Sequence, residues 1–324
     1  MAQALLSVED LTMNYTTRKG DVSAVDKVSF SLAEGESIGI VGESGCGKTS
    51  IAISLLRLLP DNGHFRGGSV WLGDIDLLSL SEPDMNKVRW NRISMVFQAA
   101  MNALNPVYRV GDQIIEALNV HWGVVTREQG RDRVAQLFEM VGLDPPLMDR
   151  YPHEYSGGMR QRAIIAMALS CNPDIIIADE PTTALDVIVQ DRILKQLRMI
   201  QDQLGMSMIY ISHDIAVIAE VAERIGVMYA GRMAEIADSV SIFERPRHPY
   251  TYALMSAFPS ITGEKHELFT IPGEPPDLLD PPTGCRFHPR CPNAIEICRE
   301  QQPPLEEKHP NHFAACWNPM EVIQ

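Results

Sequence analysis

The sequence has 324 residues, 45% of them apolar, with 28 Lys and Arg against 42 Asp and Glu, a net charge of −14. That length suggests two domains, or one domain with an extension, and the apolar content excludes general disorder. The acidic balance disfavours a nucleic-acid binder, which carries a basic stripe, but leaves nucleotide binding open because local backbone geometry overrides global charge there.

No apolar run approaches the roughly 18 to 20 residues that span a bilayer. Met1–Asp10 carries acidic residues and no basic stretch, unlike a secretory signal. A cytosolic chain is expected, with any membrane role borrowed from a partner. Short apolar runs alternate with helical patterns through residues 1–240, which reads as an α/β fold.

The first such run, Ser37–Val41 (SIGIV), enters Gly42-Glu43-Ser44-Gly45-Cys46-Gly47-Lys48-Thr49, which matches G-x-x-x-x-G-K-[ST]. Glycines let successive backbone N–H groups turn inward, and with the following helix N-terminus they cradle phosphate oxygens. Lys48 brings a charge to the β- and γ-phosphates, and Thr49 a hydroxyl to Mg²⁺. Cys46 reads as a small filler rather than a catalytic thiol. An apolar helix over Ile51–Leu59 is expected to follow.

The run Ile93–Phe97 ends in Gln98, placed to contact Mg²⁺ and water. From about Gly111 to Tyr151 the pattern is helical, with Val134, Leu137, Phe138 and Val141 on an apolar face. Ser156-Gly157-Gly158-Met159-Arg160-Gln161-Arg162 precedes a helix at Ala163–Leu169, and a serine with two glycines at a helix start offers N–H groups to a second phosphate. Ile175–Ala178 ends in Asp179, suited to hold Mg²⁺, and Glu180, suited to polarise an attacking water. Met208–Ser212 ends in His213, whose imidazole can bond a γ-phosphate. These runs look like buried parallel strands with active groups at their carboxyl ends.

Fourteen of the 22 prolines lie in residues 245–324, so a mostly irregular tail with short helices is expected beyond a boundary near Phe243–Tyr250. Cys285, Cys291, Cys298 and Cys316 follow C-x5-C-x6-C-x17-C. Four thiolates suit zinc or an iron–sulfur cluster, and spacing looser than a C-x2–4-C knuckle favours the larger cluster.

The order GESGCGKT, Gln98, SGGMRQR, IIIADE, Ala184-Leu185-Asp186 and His213 resembles the ABC-type ATPases over essentially the whole chain. Residues 241–254 and 284–291 resemble the C-terminal extension of the dipeptide/oligopeptide (nickel) importer ATPases. The resemblance implies a P-loop NTPase domain of ABC type at 1–242, with a mostly parallel sheet core, an antiparallel N-terminal sheet and a helical subdomain at about 98–155. A Pro/Cys-rich extension follows at 243–324. It implies Tyr15 stacked on adenine, ATP between the phosphate loop of one chain and Ser156–Gly158 of another, Glu180 as the catalytic carboxylate, and Asp186 at the seam between chains. Thr49, Gln98 and Asp179 are implied to hold Mg²⁺, and the four cysteines a [4Fe-4S] cluster with Zn²⁺ as alternative. Expected partners are a second related ATPase chain, two transmembrane permeases and an extracytoplasmic binding protein, with the ATPase on the cytoplasmic face of the membrane. Gln98 and the helical segment after it are implied to receive the permeases. Peptide import is the implied function, with oligosaccharide or nickel import on the same machinery as alternatives. Two further readings are a soluble ABC-type mechanical ATPase, for which one cassette, no sustained heptads and a charge of −14 speak poorly, and a redox-responsive regulator centred on the cysteines.

Overall fold

The computed structural model describes residues 4–98, 103–123, 125–183, 185–256 and 271–320. The chain opens with two long strands, β1 (Leu6–Thr17) and β2 (Gly20–Leu32). In β1 the buried positions are Leu6 and Val8, then Leu11 and Met13. The parity changes from even to odd because a bulge lies between Glu9 and Thr12, with Asp10 at φ 47°. β3 (Ser37–Val41) is buried at every residue and leads into α1 (Lys48–Leu55). That helix stops earlier than the apolar run does: Arg57 turns to φ 50°, and Pro60 blocks continuation.

Next come β4 (Gly63–Leu72), β5 (Ile75–Asp76), α2 (Glu82–Val88) and β6 (Ile93–Val96). The helical stretch expected over 111–151 divides into α3 (Val110–His121) and α4 (Arg127–Met140), followed by two 3-10 turns. The division is local chemistry. Thr126 and Gln129 form a reciprocal capping box that starts α4, and Pro145 and Pro152 open the 3-10 turns. Val134, Leu137, Phe138 and Val141 are buried as their spacing predicts. Then follow α5 (Gly157–Ala168), β7 (Ile175–Asp179), α6 (Val187–Leu204), β8 (Ser207–Ser212), α7 (Ile215–Val221), β9 (Arg224–Tyr229) and β10 (Arg232–Asp238). The chain ends with α8 (Ser239–Glu244), α9 (Pro249–Ser256), α10 (Ile297–Glu300), β11 (Glu306–His309) and β12 (His312–Ala314).

Two compact units emerge. The first is built from Leu32–Ser37 and Ser79–Ile211, the second from Leu5–Ser31, Ile38–Leu78 and Ser212 onwards. In the first unit β6, β7 and β8 are parallel neighbours, in register Ile93↔Ile175 and Ile175↔Ser207. All their residues are buried, as strands covered on both faces require. α3, α4 and α5 pack together beside them.

The second unit holds the four-stranded sheet β2-β1-β4-β5, with β1 and β4 antiparallel. It also holds the run β3-β9-β10-β12-β11, parallel at β3/β9 and antiparallel beyond. The proline-rich tail is therefore less irregular than its composition suggests. β12 extends the sheet beyond β10, pairing Glu235 with Ala314. Beneath it Glu235 is fully buried and satisfied. It accepts from the backbone N–H of Arg247 (2.6 Å) and His248 (2.8 Å) and meets the His312 ring Nε2 at 2.5 Å.

His248 is buried, and its Nδ1 accepts the N–H of Tyr250 at 3.0 Å, a bond only the neutral ring can accept. Burial lowers its pKa to about 4. Because the folded value lies below the unfolded one, this stability is complete above the unfolded pKa of 6.5 and is lost as pH falls from there towards 4. The loss expected is on the order of 3 kcal/mol. His248→Asn keeps an acceptor for Tyr250 but cannot titrate. Denaturant midpoints from pH 7 to pH 4 are expected to fall less steeply for the variant than for the parent chain.

Candidate nucleotide-binding site

In the second unit β3 delivers the chain into the loop Gly42–Thr49, and α1 begins at Lys48. Gly45 (φ 79°) and Gly47 (φ 105°) hold conformations that a side chain strongly disfavours. At Gly47 a Cβ would also lie 2.1 Å from the Ala24 carbonyl. α1 starts without a side-chain cap, the arrangement of an anion-binding helix N-terminus. Lys48 is only 6% exposed, and its ammonium donates to the carbonyls of Gly42 (2.7 Å) and Glu43 (3.0 Å). Cys46 is buried, its carbonyl accepts the N–H of Gly231 at 2.8 Å, and burial pushes its thiol pKa up, which suits the filler role. Thr49 is exposed beside this cradle. Tyr15 is tied to α1 through its hydroxyl, 3.1 Å from Ser50 Oγ. His213 is exposed, immediately after β8.

The first unit carries the carboxylates. Asp179, the last residue of β7, is 1% exposed. Glu180 follows at φ 48°, in the left-handed region, and its N–H donates to the Ile211 carbonyl at 2.8 Å. Its carboxylate accepts from Gln98 Nε2 (3.1 Å) and from Thr183 Oγ1 (2.7 Å). The structure thus joins Gln98 and Glu180, which the sequence presents as separate contributors, 82 residues apart.

Ser156 caps α5, accepting from the Met159 N–H at 3.3 Å, so Gly157 and Gly158 form the first turn. A Cβ at Gly158 would sit 2.9 Å from Val189 Cγ1 at the start of α6. Tyr155 is buried and its hydroxyl donates to the Leu147 carbonyl at 2.7 Å, so it fills an apolar position without stranding its polar end. Asp186 caps α6, accepting from the Val189 N–H at 3.0 Å. Ala184, expected in the same motif, lies outside the described residues.

One expectation about the tail finds no support. Among the described residues no group of three or more His, Cys, Asp or Glu is set to hold a metal ion, so neither a [4Fe-4S] cluster nor Zn²⁺ on Cys285, Cys291, Cys298 and Cys316 is supported. Burial raises the thiol pKa of Cys285 to about 11 and of Cys316 to about 12, and raises that of Cys291. Backbone and side-chain hydrogen bonds cross-link this part of the tail. The Cys285 N–H donates to the Cys298 carbonyl (2.8 Å), and Thr283 Oγ1 to the Arg299 carbonyl (3.0 Å). Most unexpected from sequence are Tyr250 and Arg290, both of which reach Glu43 of the phosphate loop. With partners 207 and 247 positions apart in sequence, no local pattern signals either contact.

The sequence matches the family described as ABC transporter over residues 25–183 and that described as oligopeptide/dipeptide transporter, C-terminal region, over 234–298. Two solved cassettes share the fold. A dimeric ATP-binding cassette, MJ0796, in a post-hydrolysis state bound to ADP and Pi, is 28% identical, with a TM-score of 0.65 over 72% of this chain and 98% of that one. CbiO1 of Clostridium perfringens, part of an ABC transporter complex, is 26% identical, with a TM-score of 0.65 over 75% of this chain and 92% of that one. Loop, carboxylates and fold define the class as an ATP-binding cassette. A probable peptide ABC transporter ATP-binding protein of Sinorhizobium fredii is 47% identical over 99% of this chain and 97% of its own length. The oligopeptide transport ATP-binding protein OppD of Escherichia coli is 46% identical over 99% and 95%, and the dipeptide transport ATP-binding protein DppD of Bacillus subtilis 45% over 97% and 95%. The chain belongs to this family of oligopeptide/dipeptide ABC transporter ATP-binding subunits.

Gly47→Ala adds a methyl against the Ala24 carbonyl in a backbone conformation that alanine resists. Equilibrium titration with a fluorescent ATP analogue is expected to give affinity weakened by about a hundredfold or more, since both clash and φ must be relieved by moving the loop.

Proposed function

We propose that this chain binds and hydrolyses ATP to drive uptake of dipeptides and oligopeptides through an ABC importer. The observation that carries the reading is the braced phosphate loop with its buried Lys48, in a chain related over nearly its full length to peptide-transport ATPases. Residues 1–242 form the nucleotide-binding domain, with a helical subdomain at about 98–155, and 243–324 the extension.

Gly42–Thr49 takes the phosphates, with backbone N–H groups and Lys48 as donors, and Tyr15 stacks on the base. The oxygen donors Thr49, Gln98 and Asp179 suit Mg²⁺, which supplies charge neutralisation at the phosphates when bound. Glu180, oriented by Gln98 and Thr183, takes a proton from the attacking water, and His213 bonds the terminal phosphate. Ser156–Gly158 binds the nucleotide of a second, related ATPase chain, with Asp186 near the seam. Closure on ATP and reopening after hydrolysis then follow from the differential affinity of the two states.

Two permeases and an extracytoplasmic binding protein complete the assembly, with this chain peripheral on the cytoplasmic face. Among the described residues no helix is long and apolar enough to cross a membrane, so the path for cargo belongs to those partners. Peptide cargo is favoured over oligosaccharide or nickel because the named relatives are peptide, oligopeptide and dipeptide transport proteins.

Glu180→Gln in the reconstituted complex is expected to keep ATP binding while turnover falls by about a hundredfold or more. The measurement is phosphate release with and without added di- and oligopeptides. Undiminished turnover removes Glu180 from the base role, and stimulation by nickel or an oligosaccharide instead of peptide reassigns the cargo.

A further inference from the structure

Glu43, the second residue of the phosphate loop, is held from every side. Its N–H donates to the hydroxyl of Tyr250 at 3.0 Å, and its carbonyl accepts from the Lys48 ammonium at 3.0 Å. The Cys46 N–H also donates to that carbonyl, at 3.3 Å. Its carboxylate receives both terminal nitrogens of Arg290, at 2.7 and 3.0 Å, in a two-pronged ion pair. The Arg290 side chain is 7% exposed and that of Glu43 25%, so solvent screens the pair little.

Arg290 is itself fixed. Its Nε donates to the Pro272 carbonyl (2.9 Å), Nη2 to the Gly273 carbonyl (3.2 Å) and Nη1 to the Tyr229 hydroxyl (3.2 Å). Four residues earlier on the same turn, Arg286 meets Asp26 at 2.5 Å and donates to the Ala230 carbonyl. Ala230 precedes Gly231, whose N–H braces Cys46. One turn of the tail thus supports the phosphate loop at two points.

We infer that Arg290 is a positioning residue for ATP, holding Glu43 so that the loop keeps its phosphate-accepting shape and cancelling a carboxylate charge beside the triphosphate. The inference rests on the reading of Gly42–Thr49 as the ATP site and adds a residue from outside the cassette motifs. If the pair is severed on the Arg290 side, a carboxylate is left uncompensated in a loop that must accept a polyanion, so ATP is repelled in proportion to its phosphate charge. A pair that merely anchors the tail has no such signature.

The test uses the full-length chain with a fluorescent ATP and the matching fluorescent adenosine. Arg290→Ala is expected to weaken ATP by about tenfold and adenosine by less than about twofold. Adding Glu43→Gln to Arg290→Ala is expected to recover most of the lost ATP affinity, because the uncompensated charge goes with it. Arg290→Lys, which keeps the charge without the fork, is expected to fall between, and carries the comparison if the alanine variant does not fold. ATP affinity within about twofold of the parent in Arg290→Ala, equal losses for ATP and adenosine, or no recovery in the double variant would each overturn the inference. Lys48→Ala separates this from the underlying reading: if it binds ATP like the parent chain, the loop assignment itself falls, whatever Arg290 does.

Discussion

A buried ammonium governs the site. Taking the Lys48 charge out of water is costly unless its donors are met, and the loop meets two of them with its own Gly42 and Glu43 carbonyls. On the proposed reading, an arriving phosphate offers those donors a charged acceptor in place of neutral ones, which is the stronger bond. The exchange favours binding only if the loop keeps its shape when Lys48 lets go of it. The contacts from Gly231 to Cys46 and from Tyr250 to Glu43 do not depend on Lys48, so the loop stays ordered through the exchange and less ordering entropy is lost on binding.

Glu180 follows the same logic of imposed geometry. A non-glycine residue in the left-handed region costs about 1–2 kcal/mol, and neighbours must hold it there. The Ile211 carbonyl fixes its backbone, and Gln98 and Thr183 fix its carboxylate. Gln98 lies two residues beyond β6, so the Glu180 carboxylate is tied to the end of that strand by a side-chain hydrogen bond.

Elements whose cause is local were legible in the sequence. The glycine loop, the buried strands ending in Asp179 and Ser212, the apolar face of α4 and the Ser156 cap all follow from neighbours within a few residues. The restart of α4 was equally local, since Thr126 and Gln129 have capping-box spacing, yet the apolar periodicity running across it masks the break. The bulge at Asp10 moves the buried face of β1 from even to odd positions, and Gly68 opposite leaves the room it needs, a coincidence of two strands that one strand cannot announce. Pairing of β12 with β10 and of Arg290 with Glu43 depends on tertiary approach alone. The cysteine spacing displays suitable donors, but spacing along the chain does not fix their placement in space, and placement is what a metal site requires.

Proline and charge explain how the tail docks. A segment poor in regular structure buries little backbone in ladders of its own, so it borrows partners from the body of the second unit. Tyr250 packs tilted and Phe287 edge-on against Tyr229 of β9, while Glu235 of β10 gathers the backbone of Arg247 and His248 and the ring of His312. Buried polar hubs of this kind tolerate one register only, because any slip strands a charge. The register that satisfies Glu235 also presents Tyr250 to the N–H of Glu43, so docking of the tail and shaping of the phosphate loop share one set of contacts. Coupling of that kind is reciprocal: by whatever factor a docked tail strengthens ATP binding, bound ATP must strengthen the docking of the tail.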